Sequence, residues 1–137
     1  MKFYIAIPVY KAEAFLSECV SSVLSQTCQD FEIVLVDDGS PDGSGRLCDE
    51  FAARDGRIHA IHQKNTGPYG DRRTAIHFIL DHGSPEDRAA FLDADDSLKP
   101  EALETLTRCI RETGADLVFL GEDQVYEGKV LRPFPRD

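Results

Sequence analysis

The chain has 137 residues, 42% hydrophobic and 29% charged, with a formal net charge of −10. That length suits one domain with a real core and is too short for two ordinary ones. The acidic balance excludes a nucleic-acid backbone as partner, because phosphate binding along a polymer needs clustered Lys and Arg. A single bound nucleotide stays compatible, since a metal and a few backbone N–H groups can satisfy one diphosphate locally.

Strand-like and helix-like segments alternate from the first residues. Phe3–Ile7 is an apolar, β-rich run. With Pro8 and Lys11 behind it, this start is too short for a signal-peptide core or a membrane span, and it reads as a buried strand. Phe15, Leu16, Cys19, Val20, Val23 and Leu24 then recur at helical spacing. Glu32–Val36 is near-continuously apolar, as strands covered on both faces are. Leu47, Cys48, Phe51 and Ala52 mark a second helix, capped by Asp42 or Ser44 and closed near Gly56. Ile58–Ile61 is a third strand. Ala75, Ile76, Ile79 and Leu80 form a third helical face ending near Gly83. Ala89–Leu92 is a fourth strand, and Pro100 opens a helix carrying Leu103, Leu106 and Ile110 with Gly114 beyond its end. Asp116–Leu120 is a fifth strand, and Gly128–Asp137 is a short edge strand followed by loose chain. Cys19, Cys28, Cys48 and Cys109 show no paired spacing and suit a reducing cytoplasm.

Strands joined by crossover helices predict an α/β fold, an open and mainly parallel sheet with helices on both faces. In such sheets ligands bind outside the carboxyl ends of the strands. The polar clusters of this chain all fall at that edge. The second strand ends in Val36-Asp37-Asp38-Gly39-Ser40, and the third runs into Asn65-Thr66-Gly67 and Asp71-Arg72-Arg73. The fourth ends in Asp93-Ala94-Asp95-Asp96. Two unit charges about 4 Å apart repel by about 4 kcal/mol at an effective dielectric near 20. A divalent cation relieves that repulsion, and hard oxygen ligands favour Mg2+ or Mn2+ bridging to substrate phosphates. Asp also favours turns and helix caps, so the residues alone leave both readings open. His59 and His62 fall on opposite faces of a strand and make no metal pair.

The order of these signals resembles the inverting nucleotide-sugar glycosyltransferases of family 2, which have the GT-A fold. The matching stretches are Ile7-Pro8-Val9-Tyr10, Phe15-Leu16 with Glu18-Cys19, and Ser22-Val23-Leu24-Ser25-Gln26-Thr27. They continue with Phe31 through Ser40, Asn65-Thr66-Gly67, Phe91 through Asp96, and Asp116-Leu117-Val118. The resemblance covers nearly the whole chain in register. It implies that Pro8 and Tyr10 line the pocket for the nucleotide base and that Asp38 accepts the ring N–H of uracil. It implies that Asp93 contacts the ribose, that Asp95 holds Mn2+ or Mg2+ against the donor diphosphate, and that Asp96 supports that site or caps the next helix. Arg72 matches an arginine near the base and phosphates.

The implied partners are a nucleotide-diphosphate sugar, UDP-linked, and a saccharide or lipid-linked acceptor of cell-surface polysaccharide synthesis. The implied setting is the cytoplasm, with peripheral association at the inner face of the membrane. The sequence departs from the family's Ala-Arg-Asn at Asp71-Arg72-Arg73, and His82–Asp87 is longer than usual. Family members continue past the fifth strand into an acceptor region with an acidic general base, for which Glu122 and Asp123 are misplaced. The expectation is therefore a donor-binding domain over residues 1–137, with the base outside it and poor transfer by the chain alone. Two rivals remain: a non-catalytic nucleotide-sugar-binding module, and a sugar-nucleotide pyrophosphorylase. The second is disfavoured by the absence of glycine from Pro8-Val9-Tyr10-Lys11-Ala12.

Overall fold

The apolar run Phe3–Val9 forms β1, a central strand of a four-stranded parallel sheet in the computed structural model of the chain. The structure describes residues 1–67, 69–118, 121, 124–126 and 129–132. After β1 come α1 (Leu16–Leu24), β2 (Phe31–Asp37), α2 (Ser44–Arg54) and β3 (Ile58–His62). They are followed by α3 (Gly70–His82), β4 (Arg88–Phe91) and α4 (Ala102–Thr113). The last elements are β5 (Gln124–Tyr126) and β6 (Lys129–Arg132), an antiparallel pair. The chain divides into two compact units, Met1–Glu104 and Thr105–Asp137.

The strand order is β3-β2-β1-β4. From β1 to β2 to β3 the chain steps one way across the sheet, and from β3 to β4 it steps back past β1. Right-handed crossovers then put α1 and α2 on one face and α3 on the other. The packing agrees. Tyr4, Ala6, Val34 and Val36 form a buried cluster with Ala75 of α3, flanked by Ile61, Phe78 and Ile79. The alternate residues Ile5, Ile7, Val9, Ile33 and Leu35 are buried on the opposite side. Each fully buried Ile, Leu or Val contributes about 1.5–3 kcal/mol relative to exposure.

Two details at the carboxyl edge follow from backbone chemistry. The Ala6 carbonyl accepts the Leu92 N–H at 2.9 Å, so Ala6 faces β4, and Pro8 is next in that row. Pro8 has no N–H to extend the ladder. Pairing of β1 with β4 therefore stops at Ala6 and Phe91, while β1 continues beside β2 as far as Val9 and Asp37. A gap opens there beyond the end of β4. Gly39, at φ +70°, lets the loop after β2 run against the loop after β3, where an added Cβ would sit 2.8 Å from the Asn65 nitrogen.

Three expectations change. The buried face of α3 runs through Asp71 and Ala75 to Phe78 and Ile79, whereas Ile76 and Leu80 are exposed. Apolar character alone assigned them inward; the turn that places Asp71 inside rotates them out. Phe15 precedes α1 and is exposed, so it does not share the helix's buried face of Leu16, Cys19, Val20 and Val23. Asp116, Leu117 and Val118 are irregular backbone rather than the start of a fifth strand. A short apolar run does not fix its own conformation without a pairing neighbour. Residues 119 and 120 lie outside the described residues, and the expected tail strand is present as β6. Among the described residues, no helix is long and apolar enough to cross a membrane.

Candidate functional site

The reversal of strand order lies between β1 and β4, and a crevice at such a switch point is the usual ligand site of an open α/β sheet. A cleft of about 270 Å³ occupies this position. Pro8, Tyr10, Lys11 and Ala12 line it from the end of β1, and Phe15 from the approach to α1. Asp71 and Arg72 enter from the first turn of α3, and Asp93, Ala94 and Asp95 from the loop after β4. Of the residues expected at a nucleotide site, Pro8, Tyr10, Arg72, Asp93 and Asp95 are thus brought together.

Local contacts explain the shape of the rim. Lys11 adopts φ 51°, an uncommon conformation for a side-chain-bearing residue. The turn is held from the neighbouring loop: the Lys11 N–H donates to Ser40 Oγ at 3.2 Å, and the Ala12 N–H donates to buried Ser44 Oγ at 2.9 Å. Ser44 therefore serves the β1 loop and Asp42 accepts the Ser44 N–H at 3.1 Å, but the N-cap of α2 is Gly43, with no side-chain cap bond, and not the expected Asp42 or Ser44. On the opposite wall the Cys19 thiol donates to the Asp93 carbonyl at 3.5 Å, and the Asp96 N–H to the same carbonyl at 3.0 Å.

Asp93, Asp95 and Asp96 each present a carboxylate oxygen within 4.8 Å of the other two, and all three are exposed. Oxygen donors at that spacing fit a hard divalent cation. The structure thus brings Asp96 into the acidic group. It lies well ahead of α4 at Ala102 and does not cap that helix. Arg72 Nη2 approaches Asp93 Oδ1 at 3.4 Å, setting a cation beside the acidic group.

Asp38 is 2% exposed and is not among the residues lining the cleft. Its Oδ1 accepts Gln63 Nε2 at 3.0 Å, the Thr66 N–H at 3.0 Å and the Thr66 hydroxyl at 3.2 Å. Burial alone would raise its pKa, but these donors outweigh burial and hold the carboxyl below its ordinary value. Asp38 thereby ties the loop after β3 to the end of β2.

Two features escape a reading of the sequence. The first is Asp71, 5% exposed and facing the cleft. Burial raises its pKa; the Arg72 backbone and charge oppose the shift and the Asp38 charge adds to it. The departure from the family's small residue was the available signal. The second is His62, whose Nδ1 meets Asp37 Oδ2 at 2.9 Å and whose Nε2 meets Asp49 Oδ1 at 2.7 Å. The parallel register pairs Asp37 with His62, which no spacing within one segment reveals. Glu122 and Asp123 lie outside the described residues.

Comparison with known proteins places this geometry. The chain is 36% identical over 115 residues to the glycosyltransferase GlyG of Streptococcus pneumoniae, an alignment covering 84% of the chain and 37% of GlyG. It is 38% identical over 117 residues to the uncharacterized glycosyltransferase EpsJ of Bacillus subtilis, covering 85% and 33%. The chain thus spans about a third of the length of these curated relatives. Among solved structures, TarS 1–349 of S. aureus in complex with UDP superposes with a TM-score of 0.73 at 26% identity, covering 85% of the chain and 34% of TarS 1–349. The same protein in complex with UDP-GlcNAc gives 0.70 at 27% identity, with 85% and 33% covered. The GT-A-like α/β fold expected from the sequence is the one observed. Residues 4–136 match Glycosyl transferase family 2, and the chain belongs to that family.

Proposed function

We propose that this chain binds a uridine diphosphate sugar in the cleft between the ends of β1 and β4, for metal-dependent transfer with inversion to a saccharide or lipid-linked acceptor. The observation that carries the reading is the meeting of Arg72, Asp93 and Asp95 in one cleft at the switch point of the sheet. The UDP and UDP-GlcNAc bound by TarS support the choice of donor class.

In this reading Pro8 and Tyr10 flank the base, Asp93 holds the ribose, and Asp38 shapes the base end of the cleft by fixing the loop behind it. Asp95, with its acidic neighbours, holds Mn2+ or Mg2+, which when bound neutralises charge on the leaving diphosphate. Arg72 and Lys11 add fixed positive charge to the lining of the cleft. In transfer, the acceptor oxygen bonds to the anomeric carbon as the bond from that carbon to the diphosphate oxygen breaks. The hydroxyl proton passes to a carboxylate base supplied from outside the described residues.

Calorimetric titration with UDP-GlcNAc, with and without Mn2+, tests the reading. Mn2+ is expected to tighten binding at least tenfold, and Asp95→Asn to remove most of that gain. Equal affinities with and without the metal would refute a metal-clamped donor.

A further inference from the structure

Gln26, just past the end of α1, is 2% exposed, and both ends of its amide are engaged. Nε2 donates to the Ser22 carbonyl at 3.0 Å and to the Lys99 carbonyl at 2.7 Å, while Oε1 accepts the Leu103 N–H at 3.0 Å. A carbonyl cannot donate and an N–H cannot accept, so these partners fix the orientation of the amide. Burying an amide is costly unless its groups are paired, and a methionine of similar shape would fill the space without that demand. The first turn of α4 needs an acceptor, which Oε1 supplies. That need leaves the bond to Lys99 unexplained, and Lys99 belongs to the segment that carries Asp93, Asp95 and Asp96 from β4 to α4.

The helix holds the same loop at two earlier points. Ser22 Oγ accepts the Leu98 N–H at 3.0 Å while donating to the Cys19 carbonyl at 2.6 Å, and the Cys19 thiol donates to the Asp93 carbonyl at 3.5 Å. Cys19 and Ser22 stand one turn apart on α1, and Gln26 continues their row beyond its end. Asp95 and Asp96 lie between the fastened Asp93 and Leu98. Each fastening goes to the backbone of the loop, so what it fixes is the path of the chain, and that path sets where the carboxylates point. Three like charges within 4.8 Å repel, and a loop held only by β4 and α4 would relax by spreading them. A spread group must be gathered again when a cation binds, whereas a held one is already in place. We infer that Ser22 and Gln26 are positioning residues for the divalent cation, holding the loop after β4 from α1 so that the oxygens of Asp93, Asp95 and Asp96 stay at binding distance. The inference rests on the metal-clamped donor reading above and adds to it two residues that do not line the cleft.

Mn2+ titration of the full chain, read from the paramagnetic resonance of the free ion, tests it beside calorimetric titration with UDP in the absence and presence of Mn2+. Ser22→Ala suits a helix, and Gln26→Met keeps the side-chain volume. Ser22→Ala is expected to weaken Mn2+ about three- to tenfold, the value of one neutral hydrogen bond, and Gln26→Met at least as much. Metal-free UDP affinity should stay within about twofold of the wild type in both, as for sites without shared partners. Without metal, the Leu98 amide in Ser22→Ala and the Leu103 amide in Gln26→Met should exchange with solvent faster than in the wild type. Released amides with an undiminished Mn2+ affinity overturn the inference, because the bonds then support the fold alone. Loss of metal-free UDP affinity in step with that of Mn2+ also overturns it, since the whole cleft has then moved, and leaves the donor reading standing. A wild type that takes up no Mn2+ and binds UDP equally in both conditions refutes the metal clamp and the inference with it. If Gln26→Met does not fold, Ser22→Ala decides by the same outcomes.

Discussion

Arg72 Nη2 lies 3.4 Å from Asp93 Oδ1, joining the first turn of α3 to the loop after β4 across the cleft. Both side chains are well exposed, so the pair contributes little to stability in water. Its effect is geometric: a planar guanidinium is held at the wall of the cleft, where the proposed donor site has its diphosphate. Arg72→Ala should shift unfolding free energy by less than about 1 kcal/mol in urea titration and weaken UDP at least tenfold in calorimetry. Arg72→Lys should restore the charge without the affinity, because an ammonium lacks the guanidinium fork. Full recovery by lysine would show that charge alone matters.

Gly39 offers a test of how tightly the two loops abut. Alanine there carries the left-handed backbone cost and meets the Asn65 nitrogen 2.8 Å from its Cβ. Together these should remove roughly 2–4 kcal/mol of stability. A urea midpoint equal to that of the wild type would mean that the loops part freely.

Glu32 should govern the acid limb of stability. Burial pushes its carboxyl up, but hydrogen bonds from Lys2, His59 and Tyr4 prevail and bring it down to about 2. A depressed pKa stabilises the fold above the ordinary carboxylate value near 4.5, and the gain disappears as pH falls toward about 2. Glu32→Gln should therefore cost on the order of 1–3 kcal/mol at pH 6 and far less near pH 2.5, read from urea titrations at both. A variant equally destabilised at both values would point to lost packing.

His62 works in the opposite sense. Hydrogen bonds to Asp49 first, then Asp37, raise its pKa above the ordinary value. The stabilisation is complete below about 6.5 and is lost as pH rises through the raised value. Because the ring is partly solvated, the effect should stay below about 1 kcal/mol. The melting temperature of the wild type should fall between pH 6 and 8 more than that of His62→Gln. Parallel curves would remove the imidazolium from the account.

Much of this architecture was legible in the chain. The near-continuous apolar runs of β1 and β2, and Leu16, Cys19, Val20 and Val23 at helical spacing, reflect burial that composition encodes directly. The carboxyl-edge loops were legible because their acids directly follow strand ends. Less legible were relations fixed only by tertiary packing. The inward turn of Asp71 depends on how α3 seats on Tyr4, Ala6 and Val34, and it carries Ile76 and Leu80 outward with it. The bridge from His62 to Asp37 and Asp49 needs the strand register and the position of α2 together. No local pattern contains either.

The Cys19 thiol, hydrogen-bonded beneath the acidic loop, is also a clock. Burial first, then the charges of Asp96, Asp95 and Asp93, push its pKa up to about 12, and burial does the same to Cys48 on the buried face of α2. Almost no thiolate exists in either folded site at neutral pH, so alkylation must wait for the chain to open. The labelling rate at each cysteine, divided by its rate in denaturant, then measures the opening equilibrium of its own segment. Peptide mass spectrometry separates these two from the half-buried Cys28 and Cys109. Occupancy of the cleft should slow the Cys19 clock and leave Cys48 nearly unchanged, reporting ligand capture without any attached probe.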